Sequence, residues 1–553
     1  MDGSTYCRMW EELGSVAQIQ NWKSLWQECT DWALPRKNNI LSVTIDGAGK
    51  PIQRMIDSCI KANYDFATGF FSRMFPSGSI WGKFKHPDPE INAIPDVAYY
   101  FEKVSREIHA ILQESNFTQE MQESLIDIGC LGTNCIYVEE DFDDIVTFRS
   151  FTIGNVRIGL DSKGRVDTVG REFELNSRQM LQEFGEEALT KANLASINAE
   201  VNMQKGKNYK IYHLVFPRKD YNAMMTDVKN RKFASVYVCE SNKQVLKEGG
   251  YTHLPYFIGR FATGNNEVYG RSPMMNILGT TRRSNVIKRS LIAVAELNAS
   301  PQWLVKDDDS VRGLSNRANA IIKYRTEKPQ RLDQNGNPAL ANEIYEAHDQ
   351  EIREAFFVDK FRPLDDYRNM TLGEAQMRHQ TDLLALTPFA SRYYDEVVTP
   401  MLTYVYKIAQ RSGRLPVPPQ ELVDSPNFKI EYIGQLSLAA MSFETRGAFA
   451  TISQFAELAN VIPGVAEVFD NVDLDDVFRK SWYNNNASMS SLRPPGDDEA
   501  EEQTVTDIRT ERAQAAEEAA AKQALPDAAQ AFSMTSKAPE EGSPAEKLMS
   551  MVG

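Results

Sequence analysis

A strand-like segment that runs through a glycine-rich turn into one long helix constrains this chain more than any other stretch. It reads Pro255-Tyr-Phe-Ile-Gly-Arg260, then Gly264-Asn-Asn-Glu267-Val-Tyr269-Gly270-Arg271-Ser-Pro273. A helix is predicted from Pro273 to Asn298, with proline in its first turn, where no amide donor is missed. It closes at Asn298-Ala-Ser-Pro301-Gln-Trp-Leu-Val305. Arg282, Asn285, Arg289 and Glu296 share one polar stripe of this helix, and Ile287, Leu291, Val294 and Ala295 its apolar face. Further on, Met370-Thr371-Leu-Gly-Glu374-Ala-Gln-Met-Arg378 opens a second long helix, to about Ser412. Pro388 and Pro400 fall inside it and predict kinks, because each removes a backbone donor and crowds the preceding turn.

The first hundred residues read helical. Arg8–Trp32 and Pro51–Phe75 carry aromatic and aliphatic residues at helical spacing, and a third helix is predicted over 94–129 with a glycine stop. The four tryptophans before residue 33 read as a packing face. From Leu131 the period becomes two. Strands are predicted at Cys135–Val138, Val146–Phe148, Asn155–Ile158, Val166–Val169, Lys210–Phe216 and Ala234–Cys239. Asp161–Gly164 reads as a hairpin turn and Glu248-Gly249-Gly250 as another turn. After the 299–341 stretch of short patterns, with a turn at Gln334–Pro338, a charged helix is predicted over 342–361. A strand at Phe428–Tyr432 and helices from Ser442 to about Trp482 complete the body. The whole is an α+β chain, mainly helical, with residues 1–271 read as one α+β domain.

With 553 residues the chain exceeds one simple core. Its net charge of −15 argues against a protein that wraps nucleic acid over its whole surface, but not against a channel through which DNA slides. Between Asp497 and Lys547 thirteen acids face five bases. This Ala/Glu-rich tail reads as disordered apart from a possible helix over 501–524. Six scattered cysteines with no zinc spacing read as reduced thiols. No leader and no apolar run of membrane-spanning length is expected.

Specific catalytic motifs fail one after another. Asp46-Gly-Ala-Gly-Lys50-Pro51 misses the first glycine of a phosphate loop, and Pro51 replaces its Ser/Thr. Asp307-Asp308-Asp309 and Asp365-Asp366 read as solvated loops. The six histidines lack i, i+4 pairing, and His253 reads as a packed histidine. No enzyme, cofactor or metal is expected.

The order and spacing of the 255–305 and 370–378 motifs resembles the portal, or head-to-tail connector, proteins of short-tailed (podovirus-type) bacteriophages. Leu372-Gly373 departs from the family's short Ala-Thr pair, while Glu374 and Arg378 match it. The resemblance implies a ring-forming fold of wing, stem, clip and crown, usually a homo-dodecamer. It would make residues 1–271 the wing, 272–298 and 342–361 the stem helices, and 299–341 the clip. Residues 362–370 would be the tunnel loop, 371–440 the long kinked helix with a wing strand, 441–492 the crown, and 493–553 the acidic tail. It further implies a virion protein, made in the host cytoplasm, that conducts double-stranded DNA during packaging and ejection. Implied partners are the large terminase subunit, tail adaptor proteins, major capsid and scaffolding proteins and internal core proteins, with no membrane.

Within that frame Arg282 and Arg289, with Arg362, Asp365, Asp366, Tyr367, Arg368 and Asn369 of the loop, are the candidate channel residues. Salt bridges between subunits are the alternative role for the arginines. Trp303, Lys306, Arg312, Arg317, Lys323 and Arg325 are the candidate partner-binding residues of the clip. Another capsid-associated protein, a scaffold or coat without a channel, is the alternative function.

Overall fold

Asp2 starts the first helix, its carboxylate accepting the Gly3 N–H at 2.8 Å and relieving an orphan donor. The computed structural model describes residues 2–433 except 15, 38, 42–54, 77, 93, 142–144, 187–196, 199–207, 222–226, 266, 300–302, 305–310, 313–322, 325–329, 332–337, 362–381, 383 and 425–426; beyond these it describes 451–452, 478 and 508–515. Helices α1 (Gly3–Glu12) and α2 (Val16–Ala33) divide the single helix expected over Arg8–Trp32. The break falls at Leu13-Gly14, where glycine costs about 1 kcal/mol in a helix interior. Helix α3 (Ser58–Met74) starts later than Pro51, and β1 (Gly82–Lys85) and α4 (Pro89–Asn92) follow.

The helix expected over 94–129 is two, α5 (Pro95–Glu114) and α6 (Phe117–Leu131). Asn116 interrupts it by hydrogen-bonding the Phe148 backbone from both ends of its amide, at 2.8 and 2.9 Å. Such bonds compete with helical ones. The glycine stop is Gly132, at φ +76° in the left-handed region. Gly129 lies inside the helix, where a side chain would run into Asn63.

The strands then run β2 (Thr133–Glu140), β3 (Val146–Phe151), β4 (Val156–Leu160), β5 (Val166–Asn176), helix α7 (Ser177–Phe184), β6 (Asn208–Pro217), β7 (Phe233–Cys239), β8 (Gln244–Tyr251) and β9 (Tyr256–Arg260). They form an antiparallel sheet in the order β4-β5-β6-β7-β8 and a second in the order β3-β2-β9. The Asp161–Gly164 turn joins β4 to β5, with Asp161 accepting the Lys163 and Arg165 N–H groups. Glu248-Gly249-Gly250 is no turn: Gly249 pairs with Ser235 and Gly250 with Ala234 inside β8. The missing Cβ of Gly250 admits the Val228 carbonyl, a close backbone approach that only glycine allows. The chain reverses instead at Ser241–Lys243, where Lys243 has φ +51°.

After β9 come α8 (Pro273–Asn276) and α9 (Leu278–Ala299), separated at Ile277 where one helix was expected. Short strands β10 (Trp303–Leu304), β11 (Val311–Arg312), β12 (Lys323–Tyr324) and β13 (Gln330–Arg331) follow, then α10 (Pro338–Ala355) and a 3-10 turn, Val358–Phe361. The charged helix thus begins before Asn342. Helices α11 (Thr387–Tyr393) and α12 (Thr399–Arg411) flank a π-helical turn, Tyr394–Val398. Pro388 sits in the first turn of α11, while Pro400 lies inside an unbroken helical run, Thr387–Arg411, directly after its π turn. The π turn leaves room ahead of Pro400, which lacks the donor an α turn would use. A short helix, α13 (Gln420–Asp424), precedes β14 (Lys429–Tyr432), which pairs antiparallel with β1 across the length of the chain.

Phe66 and Phe70 of α3 centre the largest core, in ring contact with Phe361 and Phe389; Phe66 also meets Phe261 and Phe356. Each fully buried aromatic of this kind contributes about 1.5–3 kcal/mol by leaving water. By its contacts the chain divides into two units, residues 1–440 and 441–553. Among the described residues of the second, a helical run at 508–515 falls within the 501–524 stretch expected to be helical.

Candidate functional site

The sequence order α9, strand insert, α10 becomes an antiparallel helix pair. Thr280 donates to Glu351 at 3.1 Å near one end, and Lys288 lies over the Tyr345 ring at 4.5 Å further along. Asn285 accepts the Met55 N–H at 2.9 Å, tying the pair to the segment ahead of α3. Ile287, Leu291 and Val294 are half-buried and Ala295 is exposed. Other apolar groups face solvent, with Val286 63 % and Leu340 52 % accessible, and Ile292 and Ile344 also exposed.

Arg282 and Arg289 have different surroundings. Arg282 grips both carboxylate oxygens of Glu28 on α2, at 2.6 Å each, which pushes its pKa up. This bridge lies within the chain. Arg289 is exposed, with no ion pair among the described residues. In the insert, Trp303 pairs in register with Arg331, and Arg312 with Lys323, so two short ladders nest between the helices. Lys306, Arg317 and Arg325 lie outside the described residues. So do Arg362, Asp365, Asp366, Tyr367, Arg368 and Asn369, the Asp46–Pro51 and Asp307–Asp309 stretches, and the Gln334–Asn337 part of the predicted turn.

Residues that no motif flagged hold the chain on either side of 362–381. Arg73 donates to the Phe361 carbonyl at 3.0 Å and lies over its ring at 5.0 Å. Gly69 leaves the space that this ring fills. Lys360 pairs with Asp382 at 2.6 Å. Nearby, Arg260 at the end of β9 meets Glu396 of the π turn at 2.7 Å; its backbone N–H gives a second bond to that carboxylate at 2.9 Å, and its guanidinium also donates to the Gly164 carbonyl at 3.1 Å. One nearly buried arginine therefore joins the β4–β5 hairpin, β9 and the α11–α12 junction. These partners are 136 and 96 residues away from Arg260 in sequence, so no local pattern could have marked them.

The same unit contains an arrangement that resembles a hydrolytic triad. His213 Nε2 lies 2.9 Å from Ser235 Oγ, and its Nδ1 lies 2.7 Å from the Tyr256 hydroxyl. All three residues are buried, and burial pushes His213 down to about 3. A neutral, enclosed imidazole with no route to substrate is a packed polar core. His253, the histidine read as packed, is half-buried and receives a hydrogen bond from Lys407 at 2.6 Å. All six cysteines are free; burial pushes Cys59 up to about 11, and raises Cys29, Cys130 and Cys135 as well. Buried thiols of this kind are inert. Among the described residues no group of His, Cys, Asp or Glu could hold a metal ion, and no helix is long and apolar enough to cross a membrane.

Residues 8–492 match the family described as bacteriophage head to tail connecting protein. The chain is 26 % identical to the portal protein of Salmonella phage epsilon15 over 546 residues, 95 % of each chain. It is 25 % identical to the probable portal protein of Bordetella phage BPP-1 over 529 residues, 92 % of each.

Proposed function

We propose that this chain, which belongs to the bacteriophage head-to-tail connecting protein family, is a portal protein. In this reading copies of the chain form a dodecameric ring at a capsid vertex. The ring conducts double-stranded DNA into and out of the head, and it anchors first the packaging motor and then the tail. The observation that carries the reading is the antiparallel α9–α10 pair bracketing an insert with four short strands among its described residues, in a chain aligned almost end to end with two portal proteins. The exposed Val286, Ile292, Leu340 and Ile344 would be covered by neighbouring copies. A head-to-tail interface of that kind closes into a ring by rotation.

The acidic chain suits a conduit, since each phosphate contact adds counterion-release affinity that would stall sliding. Of the stem arginines, Arg289 is the one proposed to meet DNA, because Arg282 is occupied by Glu28. Arg362 and Arg368, with Asp365, Asp366, Tyr367 and Asn369, are proposed to line the channel. The insert between the helices would present Trp303, Lys306, Arg312, Arg317, Lys323 and Arg325 to the terminase and the tail adaptors. Capsid, scaffolding and internal core proteins would meet other faces of the ring. The role is structural, with no catalytic residue.

Negative-stain electron microscopy with mass determination on the purified chain tests the proposal. Closed rings with an axial hole and a mass near twelve times 62.5 kDa are expected. A stable monomer or dimer would overturn the ring, and with it the channel roles.

A further inference from the structure

Lys407 touches His253, and Lys232 lies just beyond the same end of the β7–β8 ladder as His253, since Phe233 pairs with Tyr251. Lys232 precedes β7, His253 lies between β8 and β9, and Lys407 stands on α12. Lys407 Nζ donates to His253 Nε2 at 2.6 Å, so the imidazole is neutral at that nitrogen. Burial and then Lys407, Lys232 and Arg411 push His253 down to about 4. Lys407 is itself pushed down by burial and by Lys232. Arg231 is occupied by the Gly250 carbonyl at 3.0 Å. Arg411 meets Glu140 at 3.4 Å, and Glu139 beside it is exposed. None of the described acids forms an ion pair with Lys232, His253 or Lys407.

In a chain of net charge −15, the two cations Lys232 and Lys407 beside a neutral imidazole repel each other until an anion enters between them. We infer that the Lys232–His253–Lys407 cluster is a receptor for a side-chain carboxylate on an acidic peptide segment of a partner protein. Lys407 spends one of its three donors on His253 and keeps the others for the ligand. Lys232 is exposed and adds a second cation. A charge-assisted hydrogen bond to one carboxylate fits so compact a cluster. Duplex DNA is the poorer ligand. Its charges recur about every 1.7 Å along the axis, and they would meet Glu139 and Glu140. The site shares no residue with α9, α10 or their insert, and the inference does not rest on the portal reading.

Fluorescence anisotropy of the full-length protein with a labelled hexaglutamate peptide at low salt tests it. Lys232→Gln should weaken binding about fivefold, and the Lys232→Gln/Lys407→Gln pair at least about tenfold, as expected for lost charge-assisted contacts. Because Lys232 is exposed, its replacement changes charge without disturbing the core. Arg106→Gln, which removes a cation paired with Glu102 on α5, should bind as the wild type does. Failure of the wild type to bind the peptide, or equal binding by wild type and double variant, would overturn the assignment. Displacement of the peptide by a short blunt DNA duplex, with the same dependence on Lys232 and Lys407, would also overturn it in favour of a phosphate ligand.

Discussion

The aromatic core around Phe66 and the α9–α10 pair are both rich in apolar side chains, yet the two regions treat them differently. Phe66, Phe70 and Phe356 are fully buried, in a core that also takes the rings of Phe261, Phe361 and Phe389. Val286, Ile292, Leu340 and Ile344 stay in water on helices that touch mainly each other. The core is complete within one chain, so its stability belongs to the monomer. The helix pair leaves these apolar groups exposed, and the proposed ring would cover them.

Replacing Phe66 with Ala should cost about 3–5 kcal/mol through a cavity that the surrounding rings cannot close. A large drop in the thermal midpoint, together with loss of ring assembly, is expected; an unchanged midpoint would show that the core repacks. Glu396→Ala should follow at about 3 kcal/mol, because it leaves the Arg260 guanidinium enclosed and unpaired. Faster hydrogen exchange over 387–411 would locate the damage at the π turn.

His213 should make stability fall with acid. Its folded pKa lies below the ordinary 6.5, at about 3. The stability it contributes is thus present above about pH 6.5 and is lost as pH falls toward 3. Between pH 7.5 and 5 the loss attributable to His213 is about 2 kcal/mol. A His213→Gln variant should show a flatter pH profile than the wild type in urea titrations, and parallel profiles would contradict the assignment.

Val286→Lys should change monomer stability by only about 0.5 kcal/mol and yet prevent ring closure, as analytical ultracentrifugation would read. Intact rings from this variant would remove α9 from the proposed interface. The smallest effect is expected of Arg282→Gln: its bridge to Glu28 is solvent-exposed, and such pairs are worth little. A urea midpoint equal to that of the wild type is the expected result.

Local chemistry made parts of the fold legible. The Asp161–Gly164 turn writes its own hydrogen bonds, and the period-two runs from Cys135 to Cys239 announced the strands. The helix starting at Pro273 was visible from its proline and its apolar spacing. Misreadings arose where a distant partner decided the outcome. Asn116 broke a helix to bond Phe148, and the Val228 carbonyl made Gly250 a strand residue instead of a turn. In the candidate site, Arg282 and Arg289 sat on one stripe in sequence, but only the fold brought Glu28 to one of them. Arg73, Lys360, Asp382 and Glu396 carried no signal at all, because their partners lie 22 or more residues away in sequence.

By itself the sequence determined the mixed helix-and-strand character, the order of the helix–insert–helix segment and the family to which the chain belongs. All of these depend on residues close together along the chain or on motifs in a fixed order. The tertiary structure alone decided that β1 pairs with β14, that Arg260 joins three elements, and that Lys407 meets His253 at the end of the β7–β8 ladder. Each of these brings together groups tens to hundreds of residues apart. Burial and charge there depend on what the folded chain places nearby, and periodicity along the sequence does not encode that.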